Sequence, residues 1–422
     1  MYLHARCASA LFLCALLTSC GSYGGSNLHD FQVSEEDGIT VAKSFGSPKY
    51  EGELFEYEPA FRLTQDPANE ESLLFRPNDF MSGESGEVFV LDYSNSRIAV
   101  FDQNGAYIRS FGRDGQGPGE FSSMSNLLVH DGVVSVYDRS LRRRTRYDID
   151  GNLLDTIQMP VLLEGVARGS WIDFQVLDND LFFLLKWENW REGETDYFKA
   201  GIAVVRAAGD TVWTLDSQRV ENGIYTTMAS GMGLSFGLPF TSIPLVHRVP
   251  GRGIILSNGV AQELTWYDEE GAVLRRIDLG LPTEFFTQED RNKVRARYEE
   301  RLSAAREGDN PRLLESAEAQ LRAFRLPSHK PAWSDVVVDE HGYLWLRVME
   351  HTVDREEAGG GYLFRIVSPE GEYLCDSRIP YPTSRLWIGQ GRMHVHWTPP
   401  DAEESVLQVC TIRSAVSGFE YP

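Results

Sequence analysis

Apolar and polar residues alternate with a period of two through most of the chain, the mark of strands with one buried face rather than of helices. In residues 87–112, EVFVLDYSNSRIAVFDQNGAYIRSFG, Val88 and Val90 share a face, a turn falls at Tyr93 to Ser96, and Arg97 to Phe101 alternates again. Asn104-Gly105 then supplies a hairpin signal before Ala106 to Phe111. These are three successive antiparallel strands. The same order returns in 133–160 around Asp150-Gly151, in 253–280 around Glu270-Gly271, and in 343–380 around Pro369-Glu370-Gly371.

Gly105 and Gly151 lie 46 residues apart, within the repeat period of four-stranded propeller blades. An apolar strand precedes each unit, as in SNLLVHDG and WSDVVVDEHG, which gives six units near 78–112, 124–158, 168–217, 241–279, 333–379 and 385–413. The sixth has three evident strands, SRLWIGQ, RMHVHW and SVLQVCTI. YEPAFRLTQ (57–65) supplies its fourth and closes the ring, leaving no open sheet edge. The fold class expected is all-β, a six-bladed β-propeller.

One region breaks the period. Residues 283–330, between the fourth and fifth units, read as a helical hairpin: Thr287 and Asp290 form a capping box, and Val294, Tyr298, Leu302 and Ala305 make a stripe. Asn310-Pro311 starts a second helix with Leu314, Ala317, Leu321 and Phe324 as its stripe. The expectation is a hairpin on the propeller rim with Arg291, Arg295, Glu299 and Arg301 in solvent; a lid over the channel mouth is the other reading.

FGRDGQGPGEF (111–121) is rich enough in glycine to suggest a phosphate loop. The segment after it, SSMSNLLVHDG, is another strand, so no helix N-terminus follows to present amides to a phosphate. It is read as the connector between two blades.

The N-terminus carries Arg6 and an apolar run from Cys7 to Leu17, too short to span a bilayer and typical of a secretory signal. Leu17-Thr18-Ser19-Cys20-Gly21 resembles a bacterial lipoprotein signal, which implies lipidation of Cys20 and, with Gly21 next, the outer membrane of the cell envelope. Residues 1–19 are then a signal peptide, 20–52 a flexible Gly/Ser-rich acidic tether, and 53–422 the propeller. Cys375 and Cys410 remain in the mature domain, and their pairing stays open because a fold of this size needs no staple. The formal charge of −22 excludes nucleic acid as a partner.

The stretch FVLDYSNSRIAVFDQNGAYIRSFGRDGQGPGEF resembles an NHL-type repeat, and residues 53–413 as a whole look like the bacterial six-bladed β-propeller lipoproteins. The resemblance implies fold and envelope location and says little about activity.

In a blade with strands a to d, the a–b and c–d turns share one face, and the b–c turns and d–a connections share the other. The first set is uniformly short, whereas the second holds the Gly-rich connector, the loops around Trp187 and Trp190, residues 219–240 and the helical insert. Elaborated loops on a rigid scaffold are where binding resides, so Trp187 and Trp190 are candidate ligand contacts. Arg142, Arg143 and Arg144, around a b–c turn with Arg139 and Arg146, form a candidate basic patch. His394 and His396 share a strand face but lack a matching third ligand, and are read as structural. Asp79, Asn126, Asp173 and Asp335 lie in or beside inner strands and could converge on the axis. No His-Glu-x-x-His motif occurs.

The functional expectation is a monomeric binding module for an envelope protein or a small-molecule or glycan ligand, without cofactor, touching the membrane only through its lipid. The alternative is a calcium-dependent hydrolase of the lactonase type with its metal on the axis.

Overall fold

The computed structural model describes the chain from residue 28 onward. Outside the described residues fall 1–27, 159–171, 351–359 and shorter stretches, most of them between 177 and 261; of the strands between 172 and 237 only a few side chains are described.

Six four-stranded antiparallel units follow one another. Blade 1 comprises Pro77–Ser82, Val88–Asp92, Arg97–Phe101 and Tyr107–Phe111; blade 2 comprises Met124–His130, Val133–Asp138, Arg143–Asp148 and Leu153–Gln158. Blade 3 contains Ile172–Val176, Leu181–Glu192, Thr195–Arg206 and Thr211–Val220, and blade 4 Leu245–Val249, Gly253–Asn258, Glu263–Tyr267 and Val273–Asp278. Blade 5 contains Asp335–Val338, Leu344–Arg347, Tyr362–Val367 and Tyr373–Ile379. Blade 6 has Arg385–Gly389, Arg392–Trp397 and Val406–Ser414, completed by Phe55–Arg62 from the other end of the domain, in antiparallel register from Phe55↔Ser414 to Arg62↔Gln408. The inner strands of blades 1 and 2, 2 and 3, 4 and 5, 5 and 6, and 6 and 1 adjoin, so the sheets stand around an axis. Apolar faces of adjacent blades interdigitate, as where Phe89, Leu91 and Ile98 meet Phe121, Val134 and Val136. Each such fully buried side chain contributes roughly 1.5–3 kcal/mol.

A local chemical rule repeats at the c–d hairpins. The first turn residue accepts the amides two and four positions on: Asp102 from Asn104 and Ala106, Asp268 from Glu270 and Ala272, and Ser368 from Glu370 and Glu372. The fourth residue is glycine in the left-handed region, as at Gly151 (φ 92°). It also abuts the preceding blade: a Cβ on Gly151 would lie 2.6 Å from the Phe111 ring. A second rule operates where strand b ends. Buried Asp138 accepts the amides of Ser122 and Ser123 in the incoming connector and of Leu141 in its own turn; Asp92 likewise accepts Phe75 N.

The Gly-rich connector turns the chain, as expected. Glu120 folds back to accept Gly117 N (2.8 Å) and pairs with Arg113, while Phe121 enters the core between blades 1 and 2. The insert is likewise as read. Helix α1 (Gln288–Glu307) starts with the Thr287/Asp290 capping box and buries Val294 and Leu302; helix α2 (Pro311–Arg322) starts on Asn310, with Tyr298 against Phe324 at 5.4 Å.

The 20–52 segment requires correction. The described part is not a free tether from His29 onward. Asp30–Glu36 and Ile39–Phe45 form a hairpin whose second strand pairs in parallel with the outer strand of blade 4, Thr40↔Arg275 to Lys43↔Asp278. Ala42 is fully buried against the Gly371 hairpin of blade 5, and Ser44 Oγ accepts Tyr373 N at 3.0 Å. Lys49 N and Tyr50 N donate to the carbonyls of Tyr373 and Leu374, and His29 and Lys49 both reach Glu372. The segment is a strap across blades 4 and 5, so the folded part begins well before Glu53. The wedge between two blades admits only small side chains, and buried Ala42 and Ser44 leave little hydropathy signal in an acidic stretch.

Candidate functional site at the channel mouth

The inner strands each place a polar residue near their first turn of backbone. Asp79 stands opposite Leu91 and Asn126 opposite Tyr137, each just after a one-residue register shift, so the two positions are equivalent. His247 lies on the blade 4 inner strand, Asp335 opens that of blade 5 and Arg385 that of blade 6. These five side chains, with Arg347, line one axial cavity of about 400 Å³. Inner strands begin where the d–a connections arrive, so this mouth belongs to the long-loop face. Three of the four residues expected to converge on the axis do so. The fourth, Asp173, is on the inner strand of blade 3, and its side chain lies outside the described residues.

Each charged group is anchored. Asp79 accepts Phe80 N at 3.0 Å and, across the blade boundary, Leu127 N at 2.9 Å; burial nevertheless pushes its carboxyl up to about 6. Asp335 accepts Val336 N at 3.0 Å and pairs with Arg347 at 3.2 Å, whose Nε donates to Ser334 Oγ. Arg385 grips Asn78 through its backbone and side-chain oxygens. His247 is different: its Nε2 is buried with no hydrogen-bond partner, and burial holds the ring below its usual pKa, hence neutral. Sequence reasoning missed His247. By register it sits one level deeper than Asp79 and Asp335, at the position of Met81 and Val337, and only the assembled cavity brings it beside them.

For the calcium of the hydrolase alternative, no three His, Cys, Asp or Glu side chains cluster as ligands among the described residues, and Asp173 lies outside them.

The other sequence candidates are placed as follows. Arg143 is not a surface contact. Its guanidinium is buried and donates to the carbonyls of Gln116, Gly117 and Glu120, pinning the Gly-rich connector. Arg144 is buried in the same strand, and Arg142 holds a turn position at φ 49°. Of the run expected as a basic binding patch, Arg143 and Arg144 are thus both buried. Trp187 and Trp190 fall on the long b–c hairpin of blade 3, in register with Ala200 and Tyr197, and their side chains lie outside the described residues, as does Cys20. His394 is structural: fully buried between Phe80 and Trp387, with Nε2 at 3.0 Å from Ser82 Oγ, it is driven down to about 3 by burial. His396 lines a separate outer cavity with Phe75. Cys375 and Cys410 are free thiols buried in one core cluster, and burial pushes Cys375 up to about 12.

Residues 71–198 match a family model described as a 6-bladed beta-propeller. The chain is a six-bladed β-propeller. Among solved structures, the propeller is similar to a protein described as exported from Bacteroides fragilis (TM-score 0.49, 12% identity, covering 89% of this chain and 99% of that one). It is also similar to a member of the DUF4221 family from Bacteroides vulgatus (TM-score 0.48, 10% identity, 86% and 99% covered). No curated protein sequence matches it.

Proposed function

We propose that this propeller is a lipid-anchored binding module of the bacterial cell envelope, which seats its ligand in the axial cavity on the long-loop face. The observation that carries this reading is the convergence of Asp79, Asn126, His247 and Asp335 on one cavity at that mouth. A polar, concave site of about 400 Å³ falls in the size range of small-molecule sites. Anchorage rests on the apolar run Cys7 to Leu17 and on Leu17-Thr18-Ser19-Cys20, and no described helix is long and apolar enough to cross a membrane. Trp187 and Trp190, on the projecting hairpin of blade 3, are proposed to extend the contact surface toward a glycan or an envelope protein.

The test is capture from envelope extracts of small molecules that raise the melting temperature of the purified protein. Asn126→Ala should lose that stabilisation while keeping the fold. Equal stabilisation of Asn126→Ala and the parent would remove the axial cavity as the seat. Independently, Cys20→Ser should release the protein from the membrane fraction.

A further inference from the structure

The collar's chemistry narrows the ligand. Resting on the axial seat proposed above, we infer that the cavity takes a neutral, hydroxyl-rich small molecule, such as a mono- or disaccharide, rather than an anion or a metal ion. A free anion would face Asp79 and Asp335, and Arg347 is already paired with Asp335. A metal cation would find no cluster of three carboxylate, imidazole or thiolate ligands among the described residues.

What the cavity offers instead is alternation of acceptors and donors at fixed positions. Carboxylate oxygens stand on blades 1 and 5, an amide side chain on blade 2, an imidazole on blade 4 and a guanidinium on blade 6. A hydroxyl both donates and accepts, so a ring of hydroxyls satisfies such a mixed collar with no net charge to desolvate. Phe80, Phe364, Leu386 and Trp387 line the same cavity and supply the apolar surface against which the C–H face of a sugar ring packs.

The test is isothermal titration of the full chain with glucose, mannose and maltose, with inorganic phosphate and calcium chloride as comparators. At least one sugar should bind, and His247→Ala should weaken it about tenfold, the loss of one hydrogen bond to a buried group; Asn126→Ala gives a second reading if that variant folds poorly. Phosphate or calcium binding that disappears in the same variants would overturn the ligand class and leave the seat standing. Sugar binding untouched by either variant would overturn the seat. No heat with any sugar at tens of millimolar would overturn the class.

Discussion

Two residues apart on the same inner strands, the axial channel changes character. Asp79 is followed by Met81, Asn126 by Leu128, Asp335 by Val337 and Arg385 by Trp387. Residues i and i+2 of a strand face the same side, so the contrast is one of depth along a single channel. The first row forms the polar cavity; a second cavity of about 390 Å³ beyond it is lined by Met81, Leu128, Val129, Val338, Trp387 and Ile388. Leu128, Val338 and Trp387 line both and stand between them. Polar side chains stand in the first row, where a ligand can satisfy them, and this apolar row forms its floor.

The sharpest way to break this comparison is to remove the floor. Trp387→Ala should merge the two cavities and destabilise the protein by about 3 kcal/mol, read by chemical denaturation, whereas Asn126→Ala in the collar should cost well under half of that. If the two losses were equal, the polar row would be structural rather than a site. Next comes the scaffold itself. Gly151→Ala forces a left-handed alanine against Phe111, with an expected loss of about 2 kcal/mol and no change in ligand affinity.

The pH dependence has opposite signs for two groups. Asp79 has a folded-state pKa of about 6, above its unfolded value, so folding favours its protonated form; its contribution is full in acid and declines as pH rises from about 4 through 6. His394 has a folded-state pKa near 3, below its unfolded value, so its contribution is full above about 6.5 and is lost as pH falls toward 3. Asp79→Asn should flatten the first slope and His394→Phe the second, in melting temperatures measured from pH 3 to 8. A single-signed pH profile unaffected by either variant would contradict both burials.

Much of this architecture is legible in the sequence because its signals are local. Alternation marked the strands, Asn-Gly, Asp-Gly and Glu-Gly pairs marked the c–d turns, Thr287/Asp290 and Asn310-Pro311 marked the helix starts, and the missing fourth strand of the last unit pointed to residues 57–65. What was hidden depends on neighbours far along the chain. Ala42 and Ser44 reveal their burial only when blades 4 and 5 close on them. Arg143 looked like free charge until the connector carbonyls appeared around it. His247 carries no local motif, and its significance comes from the cavity it lines with residues of four other blades.

The strap and the ring closure share a kinetic consequence. His29 meets Glu372, 343 residues further on, and Phe55–Arg62 waits for Val406–Ser414. During synthesis these N-terminal segments emerge first, yet their partners emerge among the last. Contacts of such sequence separation are slow to form because chain closure precedes any gain from pairing. Blades can assemble one after another while the ring stays unsealed; the strap docks once blade 5 is made, and the last strand then closes blade 6 on Phe55–Arg62. Loss of the last strand would therefore leave Phe55–Arg62 unpaired and the ring open to proteases at that seam.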